Sequence, residues 1–164
     1  METLAVLAAE PARVVLRRAR RDDVPAIVGL LAADQLGATR DSVRDDADLA
    51  AYEAAFGAID ADPAHLLLVA ESGGQVVGTM QLSFLPGLAR RGALRAQIEA
   101  VRVSQTIRGS GVGAAMMQWA IDEAGRRGCA LVQLTSDKSR TSAHRFYQRL
   151  GFVASHEGMK LKLG

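Results

Sequence analysis

The sequence predicts a mixed α/β chain, a sheet with helices packed on it. Three observations predict this. Two strand-like runs, LLLVAE and QVVGTMQLSFL, flank Ser72-Gly73-Gly74, the short glycine turn of an antiparallel hairpin. After the hairpin the pattern alternates strand, helix, strand, helix, strand. Finally, 49% hydrophobic and 23% charged residues over 164 positions describe an ordinary globular chain with enough apolar mass for a core.

Each element has a local reason. Residues 14 to 20 alternate as a first strand. In RDDVPAIVGLLAADQ, Asp22 or Asp23 offers an N-cap and Pro25 suits the first turn, while Ile27, Leu30 and Leu31 share one face. A second helix is expected over about Asp46 to Ile59, where Leu49, Tyr52, Phe56 and Ile59 recur at helical spacing before Asp62-Pro63. PGLARRGALRA reads as an exposed connection, and its arginines face an acidic acceptor or only water. QIEAVRV is then a strand with Ile98, Ala100 and Arg102 on one side and Glu99, Val101 and Val103 on the other. From Gly111 to Arg127 the period is helical, with Val112, Met116, Trp119, Ala120 and Ala124 together and Gly128 as the stop. ALVQLTS is a buried strand, SRTSAHRFYQRL a helix closed by Gly151, and FVASH with MKLKL a final strand pair.

Composition excludes several functions. A net charge of +2 gives no nucleic-acid surface, and the basic run RVVLRRARR reads as a solvated strand face. Cys129, the only cysteine, excludes an intrachain disulfide and a cysteine-rich zinc site, and no metal is expected. With no cation beside it in GCALVQL, Cys129 reads as a structural thiol. METLAVLAAEP has too short an apolar stretch and an acid, Glu2, where a secretory leader needs positive charge, so residues 1 to 12 are expected to be a flexible tail before one domain over 13 to 164. No run approaches the ~20 apolar residues that cross a bilayer. A soluble, cytoplasmic protein without membrane partners is therefore expected.

The informative stretch is TIRGSGVGAAM, residues 106 to 116. Glycines let backbone amides approach phosphate oxygens, and the helix that starts here presents unpaired N–H groups with a partial positive charge. Arg108 adds a full charge. A Walker-type loop would need lysine and serine or threonine where Ala114-Ala115 stand. A dinucleotide fingerprint competes, because Gly109, Gly111 and Ala114 satisfy G-x-G-x-x-A and Asp137 follows the next strand. That fold needs further βαβ units after the acid, and only 27 residues remain beyond Asp137.

The third class is acetyl-coenzyme A. Arg108, Gly109, Ser110, Gly111, Val112 and Gly113 match the motif Q/R-x-x-G-x-G/A, and AHRFYQRLGF, residues 143 to 152, matches A-x-x-F/L-Y-x-x-x-G-F. Together these resemble the GCN5-related N-acetyltransferases over about residues 13 to 163. The resemblance implies a mostly antiparallel central sheet of about seven strands flanked by about four helices. It also implies acetyl-CoA as co-substrate, held by Arg108, Gly109, Ser110, Gly111, Val112, Gly113 and Ala114, with contacts from Arg140, Ala143 and Tyr147. Arg140 stands where the family often has asparagine; arginine pairs well with phosphate, which shifts that contact towards a coenzyme phosphate.

The resemblance further implies that the strand carrying Val101 and Val103 splays from its neighbour, so that its backbone lines the pantetheine arm and the Val101 N–H polarises the thioester carbonyl. Tyr147 is the implied proton donor to the departing thiolate. Glu99, expected on the same side as Val101, is the candidate base or ammonium anchor for the acceptor amine. His144 reads as a surface residue, and His156 as a pocket lining or a turn. The run from Gln133 to Leu161 is similar to aminoalkylphosphonate acetyltransferases. A small primary amine is the expected acceptor, with direct attack in a ternary complex. Protein lysine or N-terminal acetylation, and an acyl-CoA-binding regulatory module, are the alternatives. Members of the family often dimerise, which makes a homodimer the implied protein partner.

Overall fold

A computed structural model describes residues 3–8, 13–33 and 41–163. The chain forms two compact units, Met1–Gln133 and Leu134–Gly164. The first holds a sheet in the spatial order β1-β2-β3-β4-β5-β6. The strands are β1 (Thr3–Leu7), β2 (Val14–Arg18), β3 (His65–Ser72), β4 (Gln75–Leu85), β5 (Arg95–Val103) and β6 (Leu131–Leu134), the last ending at the border of the units. The four ladders from β1 to β5 are antiparallel.

Helices α1 (Val24–Ala32) and α2 (Asp46–Ala61) sit between β2 and β3 in sequence. A four-residue turn, α3 (Ala89–Gly92), joins β4 to β5, and α4 (Val112–Arg126) joins β5 to β6. Pro25 lies in the first turn of α1, and the Asp45 side chain caps α2 by accepting from the Asp48 amide at 2.9 Å. The predicted mixed sheet, hairpin and long helix are all present.

Alternation along the strands puts different helices on the two faces. Ile27 of α1 packs with Ala19 and Val69, joined by Leu31, Phe56 of α2 and Leu67. On the other face α4 buries Val112, Met116, Met117, Ala120 and Ala124. Met116 approaches so closely that a Cβ on Gly78 would lie 3.1 Å from its Sδ and 3.2 Å from the Arg102 carbonyl oxygen, so any larger residue would push these neighbours back. Leu16, Leu68, Met80, Leu82 and Ile98 are fully buried between the layers, each contributing roughly 1.5–3 kcal/mol relative to exposure.

Three expectations change. Thr3–Leu7, read as part of a tail, pairs antiparallel with β2, the next strand in the chain, whose outer backbone groups it takes up. Arg17, read as part of a solvated face, is 5% exposed. Its guanidinium donates to both Asp23 oxygens at 2.7 and 2.9 Å and to Glu71 at 2.8 Å, and Asp23 also accepts from the Arg20 amide. Burial raises the Asp23 carboxyl, but the hydrogen bonds and charge of Arg17 outweigh it and hold the group below the usual carboxylate range.

In the second unit α5 (Thr141–Arg149) is the only helix among the described residues. The expected final strand pair is not formed: residues 152–163 carry no ladder, and Met159, Leu161 and Leu163 of the alternating MKLKL run are largely exposed. Alternation marks a strand only where a neighbouring strand takes up its backbone groups. Among the described residues the sheet therefore has six strands rather than about seven.

Candidate active site

The middle of β5 departs from regular pleating. Glu99 pairs with Gln81 and Arg102 with Thr79, so Ala100 and Val101 together face the single residue Met80. Ala100 has φ 55°, a left-handed backbone that is unusual for a side chain inside a strand. These are the marks of a β-bulge, which leaves one residue without its ladder partner and bends the strand.

The extra residue also resets the alternation. Paired residues share a face, so Ile98, Val101 and Val103 turn to the α4 side, while Glu99 and Arg102 turn to the α1 side. The expected common side for Glu99, Val101 and Val103, and for Ala100 and Arg102, does not survive. Glu99 is exposed and enters no ion pair or hydrogen bond among the described residues, whereas Arg102 is half-buried, its Nη1 donating to the Val101 carbonyl at 2.9 Å. Ser83, Gln97, Glu99 and Arg102 thus form one polar row; His65 bonds Ser83 at 2.8 Å, and Gln133 donates to Gln97 at 2.7 Å. Glu99 was singled out from the sequence as a candidate for the site. Arg102 was not, because nothing in EAVRV announces the bulge.

Beyond β5 the chain makes a short 3-10 turn, Gln105–Ile107, then runs through Arg108 into the glycines. Gly109 and Gly111 have φ of 86° and 84°, and a Cβ at either would meet nothing within 4 Å, so the turn is open on the side it presents. Ser110 closes it from behind, its hydroxyl donating to the Ile107 carbonyl at 2.7 Å. Gly111 is the N-cap of α4, and no side chain caps the helix and no acid lies in its first turn. The amides of Val112, Gly113 and Ala114 precede the first residue whose amide is taken up within the helix, since the Ala115 amide bonds Gly111. An uncapped helix start in an open glycine turn, with Arg108 beside it, fits a diphosphate.

Between the end of α1 and the end of β5 lies a cavity of about 410 Å³, lined by Leu30, Ala33, Arg102, Val103, Ser104, Gln105 and Arg108. The bulge, the cavity and the glycine turn occupy consecutive stretches of one unit. Six of the proposed coenzyme contacts, Arg108 to Gly113, and both strand positions, Val101 and Val103, are therefore brought together.

Arg140, Ala143 and Tyr147 belong to the second unit. Tyr147 lies on α5, half-buried, with its ring edge-on to Phe146 at 5.2 Å and Phe152 at 6.0 Å. Arg140 is the N-cap of α5 and Ala143 lies in its first turn. His144 is half-buried and bonds the Asp137 carbonyl at 2.8 Å, whereas His156 is exposed and bonds Ser155. Asp137 accepts from the Ser139 amide and hydroxyl, which gives it a turn-forming role ahead of α5.

Burial pushes the Cys129 thiol up, against nucleophilic use. Among the described residues no three His, Cys, Asp or Glu side chains gather as metal ligands, and no helix is long and apolar enough to cross a membrane.

A bulged strand running into an uncapped, glycine-opened helix sets an anion-binding helix start directly beyond the bulge. The chain belongs to the acetyltransferase (GNAT) family, whose sequence model matches residues 13–152, and it is an N-acetyltransferase by class. It is 28% identical over 141 residues to the aminoalkylphosphonate N-acetyltransferase of Salmonella typhimurium, covering 86% of each chain. It is 33% identical over 90 residues to the glucosamine 6-phosphate N-acetyltransferase of Trypanosoma brucei brucei, covering 55% of this chain and 59% of that one. Among solved structures, a protein described as a transcriptional regulator from Bacillus halodurans C-125 superposes with a TM-score of 0.87 at 43% identity, over 92% of this chain and 99% of that one.

Proposed function

We propose that the protein transfers the acetyl group of acetyl-CoA to the primary amine of a small molecule by direct attack in a ternary complex. The observation that carries the reading is the bulge at Ala100 and Val101 followed, within a few residues, by the uncapped start of α4. The co-substrate supplies an acyl group activated as a thioester. In this reading the amides at Gly109 to Ala114 and the Arg108 guanidinium hold its diphosphate, with Arg140 and Ala143 as further contacts from α5.

The backbone of Val101 and Val103 accepts an extended ligand as an added strand would, and the Val101 N–H steadies the charge that develops on the carbonyl oxygen. Amine attack requires loss of a proton, and Glu99, exposed and without a protein partner among the described residues, accepts it directly or through water. Tyr147 returns a proton to the sulfur as the C–S bond breaks. Both curated relatives act, by name, on amines that carry a phosphorus oxyanion, which supports a small acceptor.

The transcriptional-regulator description of the 43% identical structure supports a second reading, an acyl-CoA-binding module without turnover. Thiol release on adding a panel of amines and peptides to protein and acetyl-CoA separates the two. The enzyme reading expects Tyr147→Phe to lower kcat by about 100-fold or more while coenzyme affinity changes by less than about threefold. Normal turnover by that variant removes Tyr147 as proton donor.

A further inference from the structure

We infer that the acceptor is a short peptide laid extended along the α1 side of β5, its free α-amine at Glu99 and an acidic residue at about its fourth position meeting Arg95. This deepens the acetyltransferase reading above and rests on it. The register carries the inference. Pairing is regular from Arg95, opposite Leu85, to Glu99, opposite Gln81, so Arg95, Gln97 and Glu99 all point to the α1 side, away from the buried Ala96 and Ile98. At about 3.3 Å per residue, Gln97 lies roughly 7 Å and Arg95 roughly 13 Å from Glu99.

Along that line the chemistry changes in the order an acidic peptide requires. Glu99, beside the bulge, is exposed and enters no ion pair or hydrogen bond among the described residues, which suits an ammonium. Gln97 is half-buried, and its Oε1 accepts from Gln133 Nε2 at 2.7 Å. That bond aligns two side-chain amides and leaves Gln97 Nε2 as a donor near Gln133 Oε1 as an acceptor, the complement of one peptide group. Arg95 is exposed and makes no ion pair or hydrogen bond among the described residues, so its fork is open to a carboxylate. Arg90 and Arg91, exposed on the preceding α3 turn, add positive charge at the same end. In an extended chain of about 3.3–3.6 Å per residue, an amine on the first residue and an aspartate carboxylate on the fourth lie roughly 11–13 Å apart, which matches the span from Glu99 to Arg95. Transfer then follows as above: the N–C bond forms, the C–S bond breaks, the amine proton passes to Glu99 and the sulfur leaves as the coenzyme A thiol.

The test compares four acceptors by coenzyme A release from acetyl-CoA: the C-terminal amides of Ala-Ala-Ala-Asp, Ala-Ala-Ala-Asn and Ala-Asp-Ala-Ala, and n-propylamine. The wild-type protein is expected to favour Ala-Ala-Ala-Asp over each of the other peptides by about tenfold in kcat/KM, and over propylamine by about 100-fold. Arg95→Met is expected to bring the first two peptides level, and Arg95→Glu to favour the amide of Ala-Ala-Ala-Arg instead. Gln97→Leu should lower every peptide relative to propylamine while the preference for aspartate over asparagine persists. Melting temperatures confirm that the variants fold.

A preference for aspartate that survives Arg95→Met, equal use of the two aspartate positions, or a wild type that takes propylamine as readily as the peptides overturns the assignment and leaves acetyl transfer standing. If no amine releases coenzyme A, the acetyltransferase reading fails. The peptide site is then judged by calorimetric titration with the Ala-Ala-Ala-Asp amide, where heat that Arg95→Met abolishes upholds it and silence removes it.

Discussion

Two glycine turns lie beyond the same end of the sheet, and they do different work. Gly73 and Gly74 close the β3–β4 hairpin with φ of 56° and 78°; Gly109 and Gly111 open α4 with φ of 86° and 84°, and all four have open space where a Cβ would stand. What differs is the element that follows. The amides after Gly74 enter a ladder and are consumed by it, whereas those after Gly111 begin a helix and have no partner within it. Glycine makes either turn possible, but the element that follows decides whether an anion can bind.

The hairpin end is also tied down by charge, and here the largest effect is expected. Asp23→Ala leaves the buried Arg17 guanidinium with Glu71 alone and is expected to cost about 3 kcal/mol in chemical unfolding, without changing coenzyme affinity in the folded fraction. The wild-type contribution depends on pH. Because Asp23 is held below its unfolded value of about 3.9, its stabilisation is full above that value and disappears as pH falls through the lower folded one. Acid unfolding below about pH 4 should therefore be weaker in Asp23→Ala relative to its own stability at pH 7.

The two turns can be set against each other directly. Gly111→Val and Gly74→Val each force a β-branched residue into a left-handed backbone, at roughly 1–2 kcal/mol. Both should lower the melting temperature, but only Gly111→Val should weaken acetyl-CoA binding, by about tenfold or more. Equal loss in both variants would erase the distinction. The smallest effect belongs to the bulge. Ala100→Gly relieves the φ of 55° and should raise stability by about 0.5–1 kcal/mol with the bulge retained, measured by denaturant midpoint.

These comparisons explain what could be read in advance. The Ser72-Gly73-Gly74 hairpin, α4 with its buried Met116 and Ala120, and the glycine turn depend on local chemistry and were legible from residues 66 to 127. The bulge was not, since Ala100 is neither glycine nor asparagine and its pairing depends on Met80, twenty positions earlier. With it went the correct side of Arg102. Arg17 was misread for the same reason: its partner Glu71 lies 54 positions away. The MKLKL run shows the converse, an alternating pattern that forms no strand among the described residues.

Calorimetric titration of the purified protein with acetyl-CoA and, separately, with NAD tests the central claim most directly. Saturable acetyl-CoA binding that Gly111→Val weakens, alongside no heat from NAD, is the expected result. Tight NAD binding with indifference to acetyl-CoA would contradict the account.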